Sequence, residues 1–114
     1  MGNAKRKHGA RAPRTHAQSL VRALAVYNSS ANRLVAMERA MNAAVQHRGH
    51  GFDVKTFGAE IRKSAIAQLL RHRVAMQSEA STDVVGLYCI MAQQTSHLIR
   101  LVDTAVSEGH EHSL

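Results

Sequence analysis

Residues 15–48 read THAQSLVRALAVYNSSANRLVAMERAMNAAVQHR, and apolar side chains recur along them at alternating intervals of three and four residues. This period is typical of an α-helix that turns one face to a core. Thr15 and Gln18 have the spacing of a capping box, which predicts the start of the helix. Because the apolar spacing continues across the poor helix-forming run NSS at 28–30, we expect one long helix to about Arg48. Its expected core face consists of Ala17, Leu20, Leu24, Tyr27, Ala31, Leu34, Met41 and Val45, widened by Val21 and Val35.

Two further helices are expected after the glycines that follow this stretch. Asp53 is the expected N-cap of the second helix, because its carboxylate can accept a hydrogen bond from an N–H of the first turn. The third helix is expected over 83–108, with Gly109 as its stop. The junction between these helices is expected at 78–82. Since the junction contains neither Gly nor Pro, one continuous rod is the alternative. The expected apolar residues of the second helix are Val54, Phe57, Ile61, Ala65, Ile66, Leu69, Leu70 and Met76.

The composition favours an all-α fold in a single domain. The chain of 114 residues is 45% hydrophobic but only 4% aromatic, and it contains no Trp. Its core must therefore be built from aliphatic residues and methionine, which favours packed helices over sheets. We predict a small bundle of three helices, or of two long helices if the last two are continuous. The expected division is a disordered basic arm at 1–14, a helical bundle domain at 15–109 and a polar tail at 110–114.

The basic residues are concentrated in the first half of the chain. Residues 1–52 hold nine Lys and Arg against one acid, whereas residues 53–114 hold six against seven acids. Such an asymmetry indicates a nucleic acid, an anionic membrane surface or an acidic protein surface as the partner. We expect a non-enzymatic binding protein that contacts nucleic acid, such as DNA, or another polyanion through its basic arm. The expected contact residues are Lys5, Arg6, Lys7, Arg11, Arg14, Arg22, Arg62, Lys63, Arg71 and Arg73.

A second expected binding surface lies at the start of the third helix. Residues 84–92 read VVGLYCIMA and are apolar almost all the way round a helix. Either a third element of the chain or another subunit must cover them, and we expect a homo-oligomer that completes the bundle between chains. In this apolar setting, Cys89 should be a buried and inert thiol. The alternative function is a protein–protein adaptor, chaperone or inhibitor that binds a partner through the same face. The expected interface residues are Val84, Val85, Leu87, Tyr88, Ile90 and Met91.

No catalytic, cofactor or metal site is predicted. The eight histidines include His47-x-x-His50 and His110-x-His112, but neither pair is joined by the further ligands that zinc requires. Glycine-rich phosphate loops are absent and the eight acids are scattered. No apolar run is long enough to span a membrane, and the lone cysteine favours a reducing compartment, so we expect a cytoplasmic protein. Residues 1–37 contain no acid and several Arg and Ser, which is also typical of an organelle transit peptide.

Overall fold

The protein folds into three long helices that pack against each other. The computed structural model describes residues 14–51 and 53–113, and the side chains of these residues up to position 108. No strand occurs among the described residues, so the expected all-α class is confirmed. The helices are α1 (His16–Gln46), α2 (Val54–Ser78) and α3 (Thr82–Ser113), and a short 3-10 turn (Arg48–His50) lies between α1 and α2.

The helix starts follow from local side-chain chemistry. Thr15 and Gln18 form the expected capping box: the Thr15 hydroxyl accepts from the Gln18 backbone N–H at 3.1 Å, and the Gln18 side chain accepts from the Thr15 N–H at 2.9 Å. The Asp53 carboxylate caps α2 by accepting from the backbone N–H of Thr56 at 3.1 Å and from its hydroxyl at 2.6 Å. The hydrogen bond from the Thr56 side chain is the main reason that the pKa of Asp53 lies below its ordinary value of 3.8.

Two expectations about helix ends are corrected. Residues 79–81 are not helical, so α2 and α3 are separate and the continuous rod is wrong. The expected stop at Gly109 is also wrong, because α3 continues to Ser113. A glycine inside a helix costs about 1 kcal/mol relative to alanine. It nevertheless keeps the backbone N–H and C=O that the next turns need, so it does not by itself end a helix.

Apolar side chains form two separate cores, one at each end of the bundle. Arg14, just before α1, contacts Glu79 between α2 and α3, so the predicted arm joins the bundle at the α2–α3 junction. The arm-proximal core lies at this end and consists of Ala23, Val84, Tyr88 and Met91. The arm-distal core lies at the other end and consists of Leu34, Met41, Val54, Ile61, Ala65, Leu98 and Val102.

Helix α1 meets the arm-proximal core with only part of the face expected. Leu34 and Met41 are buried as predicted, and Leu20 and Tyr27 are half-buried and pack against the arm-proximal core. The fully buried residues in the first half of the helix, however, are Ser19, Ala23 and Ser30. Small side chains permit a close approach of α1 to its neighbours, and aliphatic residues are left on the outside. Among the residues expected to be buried, Ala17, Leu24, Val21 and Val35 are exposed.

A buried polar layer separates the two cores. It consists of Ser30 from α1, Gln68 and His72 from α2 and Thr95 from α3, each at most 2% exposed. The Gln68 amide nitrogen donates to the Ser30 hydroxyl at 2.9 Å and to the Thr95 hydroxyl at 3.2 Å. Thr95 in turn donates to the Met91 carbonyl oxygen at 2.8 Å. Every helix thus contributes to one hydrogen-bonded network, which lowers the cost of burying these groups.

His72 completes this layer through its contact with Ser30. Its Nε2 lies 3.2 Å from the Ser30 hydroxyl oxygen, within hydrogen-bond distance. A hydroxyl oxygen can accept two hydrogen bonds and donate one, so this contact is compatible with the bond that Ser30 accepts from Gln68. Burial lowers the pKa of His72 below its ordinary 6.5, and the positive charges of Arg71 and Arg33 lower it further. This shift favours the neutral ring.

Candidate functional site

The structure gathers three of the predicted polyanion-binding residues around one groove. Arg14, Arg22 and Arg71 line a depression of about 480 Å³ at the arm-proximal end. Lys63 and Arg73 are exposed on α2 but do not line it. Four of the ten predicted residues, Lys5, Arg6, Lys7 and Arg11, lie outside the described residues.

Arg62 occupies a different environment from the groove arginines. Its Nε donates to an Asp103 carboxylate oxygen at 2.9 Å, which ties α2 to α3 in the arm-distal half. A guanidinium that is already paired with a carboxylate has less attraction for phosphate. The basic residues predicted on the bundle therefore fall into three sets: Arg22 and Arg71 line the groove, Arg62 is paired in the arm-distal half, and Lys63 and Arg73 are exposed elsewhere on α2.

The groove, which we call the arginine groove, is formed by all three helices. Arg22 comes from α1, Arg71 comes from α2, and the buried Tyr88 contributes from α3. The last turns of α2 reach this end because α2 runs antiparallel to α1. The remaining lining residues are Leu70, Val74, Ala75, Ser78 and Glu79.

The charge of the arginine groove is positive. Three guanidinium groups face one carboxylate, that of Glu79, which accepts from Arg14 at 3.3 Å. The Glu79 side chain is only 6% exposed, so this acid serves mainly to hold Arg14 in place. Neither Arg22 nor Arg71 forms an ion pair with a described residue. Their positive charges are thus available to a partner.

The chain enters the bundle at the edge of this groove. Arg14 directly follows the basic residues 1–13 and is itself a lining residue. Two residues later, His16 lies 3.5 Å from the Asp83 carboxylate in the first turn of α3. These contacts place the end of the predicted arm beside the arginines of the bundle, so the positive charge of the sequence continues onto the folded surface.

The predicted interface on α3 is divided between the inside and the outside of the bundle. Val84, Tyr88 and Met91 are at most 2% exposed and belong to the arm-proximal core, so α1 and α2 cover that side of the segment. Ile90, in contrast, is 45% exposed. Val85 and Leu87 are half-buried. The two neighbouring helices therefore cover only one side of this apolar surface, and no further described element covers Ile90.

Cys89 lies on the outer side of α3, and the expectation of a buried thiol is wrong. The helical period places it one position after the buried Tyr88, which turns it away from the core. Its sulfur lies 3.9 Å from the Gln93 side-chain nitrogen, one turn further along α3.

A second groove, of about 430 Å³, lies between α1 and α3 and is mainly apolar. Val35 and Leu101 line it and are 47% and 41% exposed. Glu38 and His97 lie at the same groove, which therefore lacks the positive charge of the arginine groove. Sequence reasoning missed it because Val35 was assigned to the core face of α1.

Sequence reasoning also missed the aliphatic part of the arginine groove. Leu70 was expected in the core but is 53% exposed, and Val74, one turn further along α2, is 65% exposed. The available signal was the spacing of four residues between them, with Arg71 next to Leu70. That spacing places both aliphatic side chains on one face of α2.

Other kinds of site find no support among the described residues. No three His, Cys, Asp or Glu side chains within 14–51 and 53–113 are grouped so that they could hold a metal ion. None of the described helices combines the length and the hydropathy needed to cross a bilayer. No protein-family model matches the chain, and no similar protein was found among curated proteins or among solved structures.

Proposed function

We propose that the chain is a non-enzymatic binding protein that contacts nucleic acid, or another polyanion, through its basic arm and the adjoining arginines. The observation that supports this most strongly is the grouping of Arg14, Arg22 and Arg71 where the arm joins the bundle. The five Lys and Arg of residues 1–14 would then act together with Arg22 and Arg71 on one partner. We propose a cytoplasmic location, in keeping with a single free cysteine.

The proposed contact is with the phosphate backbone. Lys and Arg that neutralise phosphates supply affinity without reading sequence. Residues 1–14 contain no aromatic side chain on which bases could stack, so recognition of single-stranded sequence is not part of the proposal. Binding should therefore be similar for duplexes of different sequence and should weaken steeply as salt rises.

The test is a titration of a labelled duplex of about 20 base pairs at several salt concentrations, followed by fluorescence anisotropy. Replacing Lys5, Arg6 and Lys7 with Gln should lower the affinity and flatten the slope of log affinity against log salt by up to about 2.7, at about 0.9 per phosphate. Arg39→Gln, at an exposed position of α1 outside the proposed surface, is the matched control. Absence of binding at low salt would rule the proposal out.

The apolar surface of α3 supports a second candidate, an adaptor or a homo-oligomer. Ile90 is exposed beside the half-buried Leu87, and Leu101 lines the second, mainly apolar groove between α1 and α3. Ile90→Glu should keep the fold, because the side chain points outward, and should dissociate an assembly that buries it. Light scattering on both proteins decides this: a wild-type chain that stays monomeric at high concentration contradicts the oligomer.

A further inference from the structure

The arginine groove combines positive charge with exposed aliphatic side chains. Leu70 and Val74 lie one turn apart on α2 and are 53% and 65% exposed, while Arg71 lies beside them. Phosphate binding requires only positive charge and hydrogen-bond donors, and it gains nothing from an aliphatic wall. Exposed aliphatic residues grouped with charges are typical of a surface that another apolar surface covers. The groove therefore fits a partner that has both an apolar face and negative charge.

The shape of the groove restricts the class of this partner. Residues of α1 and α2 form its two sides and Tyr88 of α3 contributes between them, so the surface is concave. A helix can lie in such a trough with its side chains between the two walls. A bilayer surface is broad compared with the groove and would contact mainly its rim. The geometry favours a protein helix over a membrane.

The positions of the two unpaired arginines restrict the charge of this helix. Arg22 lies on the α1 side and Arg71 on the α2 side, whereas Arg14 is held by Glu79. Acidic residues along both edges of a helix would meet one guanidinium on each wall. We propose that the arginine groove docks an amphipathic helix of a partner protein, with aliphatic residues on its buried face and Asp or Glu along its edges.

A second copy of this chain does not supply such a helix readily. Within the described helices, α1 contains only Glu38 as an acid and α2 contains only Glu60. Helix α3 contains four acids, but Asp103 is paired with Arg62 and Asp83 lies 3.5 Å from His16. The other two, Glu108 and Glu111, are confined to the last six residues of the helix. The charge of the groove therefore favours an acidic partner of different sequence. This inference goes beyond the proposed contact with nucleic acid and does not depend on it.

The experiment uses the full chain and a labelled helical peptide of about 20 residues, with Leu along one face and Glu on both edges. Fluorescence anisotropy measures its binding. Arg71→Gln should weaken binding about tenfold, because a charge-assisted hydrogen bond is lost. Val74→Gln should weaken it about fivefold, because the apolar contact is lost. A peptide in which Gln replaces every Glu should not bind, and salt should weaken the binding of the acidic peptide.

Two matched variants separate a groove from a diffuse positive surface. Arg39→Gln changes an exposed arginine of α1, and Leu24→Gln changes an aliphatic residue of α1 that is 46% exposed; neither residue lines the groove. Both variants should bind the acidic peptide like the wild type. Equal losses for Arg39→Gln and Arg71→Gln would overturn the proposal, because net charge would then explain the binding. Absence of acidic-peptide binding at low salt would overturn it as well.

Other occupants are recognised in the same assay. One alternative is a lipid surface, tested with vesicles of phosphatidylcholine and phosphatidylglycerol. If the vesicles bind the wild type but not Val74→Gln, and the peptide binds neither, the groove binds lipid and the proposal is wrong. If the duplex displaces the peptide and Val74→Gln affects neither ligand, the arginines serve nucleic acid alone and the proposal is again wrong. The variant Lys5→Gln, Arg6→Gln, Lys7→Gln should lose duplex affinity but keep peptide affinity. The proposal for nucleic acid and the proposal for an acidic helix can therefore fail independently.

Discussion

The two ends of the bundle differ in how completely they bury their aliphatic residues. In the arm-distal half, seven buried apolar residues form the core. In the arm-proximal half, only four do so. Five of the seven large aliphatic residues recorded as exposed, Val21, Leu24, Leu70, Val74 and Ile90, lie in this second half. Arg22 and Arg71 lie at the same end, so the arm-proximal half places exposed aliphatic residues beside positive charges, as the proposed docking surface requires.

The same contrast is visible in the charged side chains. Arg62, in the arm-distal half, forms a short ion pair with Asp103, whereas Arg22 and Arg71, in the arm-proximal half, form none with a described residue. The polar layer between the halves uses hydrogen bonds from all three helices. A buried network of this kind can fix the relative positions of helices, because a shift along the helix axis would leave its polar groups without partners.

The largest effect is expected from truncating the arm-proximal core. Met91 is fully buried there, so Met91→Ala should lower the free energy of unfolding by about 3 kcal/mol through lost burial and an unfilled cavity. Ile90→Ala is the matched control, because Ile90 is the neighbouring residue and is 45% exposed. It should cost less than about 1 kcal/mol. Urea unfolding measures the stability loss of each variant. Similar losses would contradict the assignment of Met91 to the core and of Ile90 to the exposed side of α3.

A smaller loss is expected when the polar layer is disrupted. Gln68→Leu keeps a side chain of similar size but removes the partner of Ser30, Thr95 and Arg33. The Ser30 and Thr95 hydroxyl oxygens then lose the bonds from the amide nitrogen, and the Arg33 Nε loses its acceptor, which should cost about 2 kcal/mol. Replacing Thr95 with Val in the same chain should recover part of this loss, because one buried hydroxyl is then removed. If the double variant is no more stable than Gln68→Leu, the hydrogen bond to Thr95 is not a source of the effect.

The helices and their starts could be predicted from the sequence because they depend on local chemistry. The capping box at Thr15 and the cap at Asp53 each involve residues three positions apart, and both are present in the structure. The spacing of apolar residues also predicted correctly that Leu34 and Met41 are buried. The end of α3 was predicted less well, since Gly109 is a weak signal when the helix can continue beyond it.

The arginine groove could not be predicted because it depends on how the helices face one another. The apolar pattern of α1 is broad, so it does not decide between a core face with Leu20 and Leu24 and one with Ser19 and Ala23. In the structure Ser19 and Ala23 are buried, Leu20 is half-buried and packs against the core, and Leu24 is exposed. Arg22 and Arg71 are distant in sequence and meet only because α1 and α2 are antiparallel.

A moderate loss of stability is expected from filling the close contact between α2 and α3 in the arm-distal half. A Cβ added at Gly58 would lie 2.5 Å from Cγ2 of Val106 and 3.3 Å from the terminal methyl group of Met41. Overpacking should cost about 2 kcal/mol, and the better helix propensity of alanine offsets about 1 of these, so Gly58→Ala should lose about 1 kcal/mol. Val106→Ala in the same chain should remove the clash. Thermal unfolding of the two single variants and the double variant measures whether the stability changes at positions 58 and 106 are coupled. If these changes simply add, the predicted clash between the added Cβ and Val106 is contradicted.

The stability of the layer should depend on pH through His72. Its pKa is lowered in the folded chain, chiefly by burial and further by Arg71 and Arg33, while the unfolded chain titrates near 6.5. Below 6.5 the unfolded state therefore binds more protons, and the free energy of unfolding falls as the pH falls. Above 6.5 this contribution is constant. The ring centroid of Tyr88 of α3 lies 6.4 Å from that of His72.

The measurement for His72 is urea unfolding of the wild type and of His72→Leu between about pH 7.5 and 5.5. The wild type should lose stability towards the acidic end of this range, and the variant should lose less. All other titratable groups are shared by both proteins, so the difference between the two pH profiles isolates His72. The carboxylate of Asp53 acts only at lower pH, since its pKa lies below 3.8. Parallel pH profiles would show that His72 is not the titrating group.

The smallest effect on stability is expected at Arg62. A comparison of this paired arginine with Arg22 tests whether the arginines of the groove differ from it in binding. The Arg62 and Asp103 side chains are 47% and 50% exposed, so Arg62→Gln should cost less than about 0.5 kcal/mol. Duplex affinity should also change little, because the guanidinium is already paired with a carboxylate. Arg22→Gln should leave stability unchanged and lower duplex affinity, since Arg22 lines the positive groove together with Arg14. Equal losses of duplex affinity in Arg62→Gln and Arg22→Gln would show that an arginine of the groove contributes no more to duplex binding than an arginine paired in the arm-distal half. The proposed role of the arginine groove in duplex binding would then be wrong.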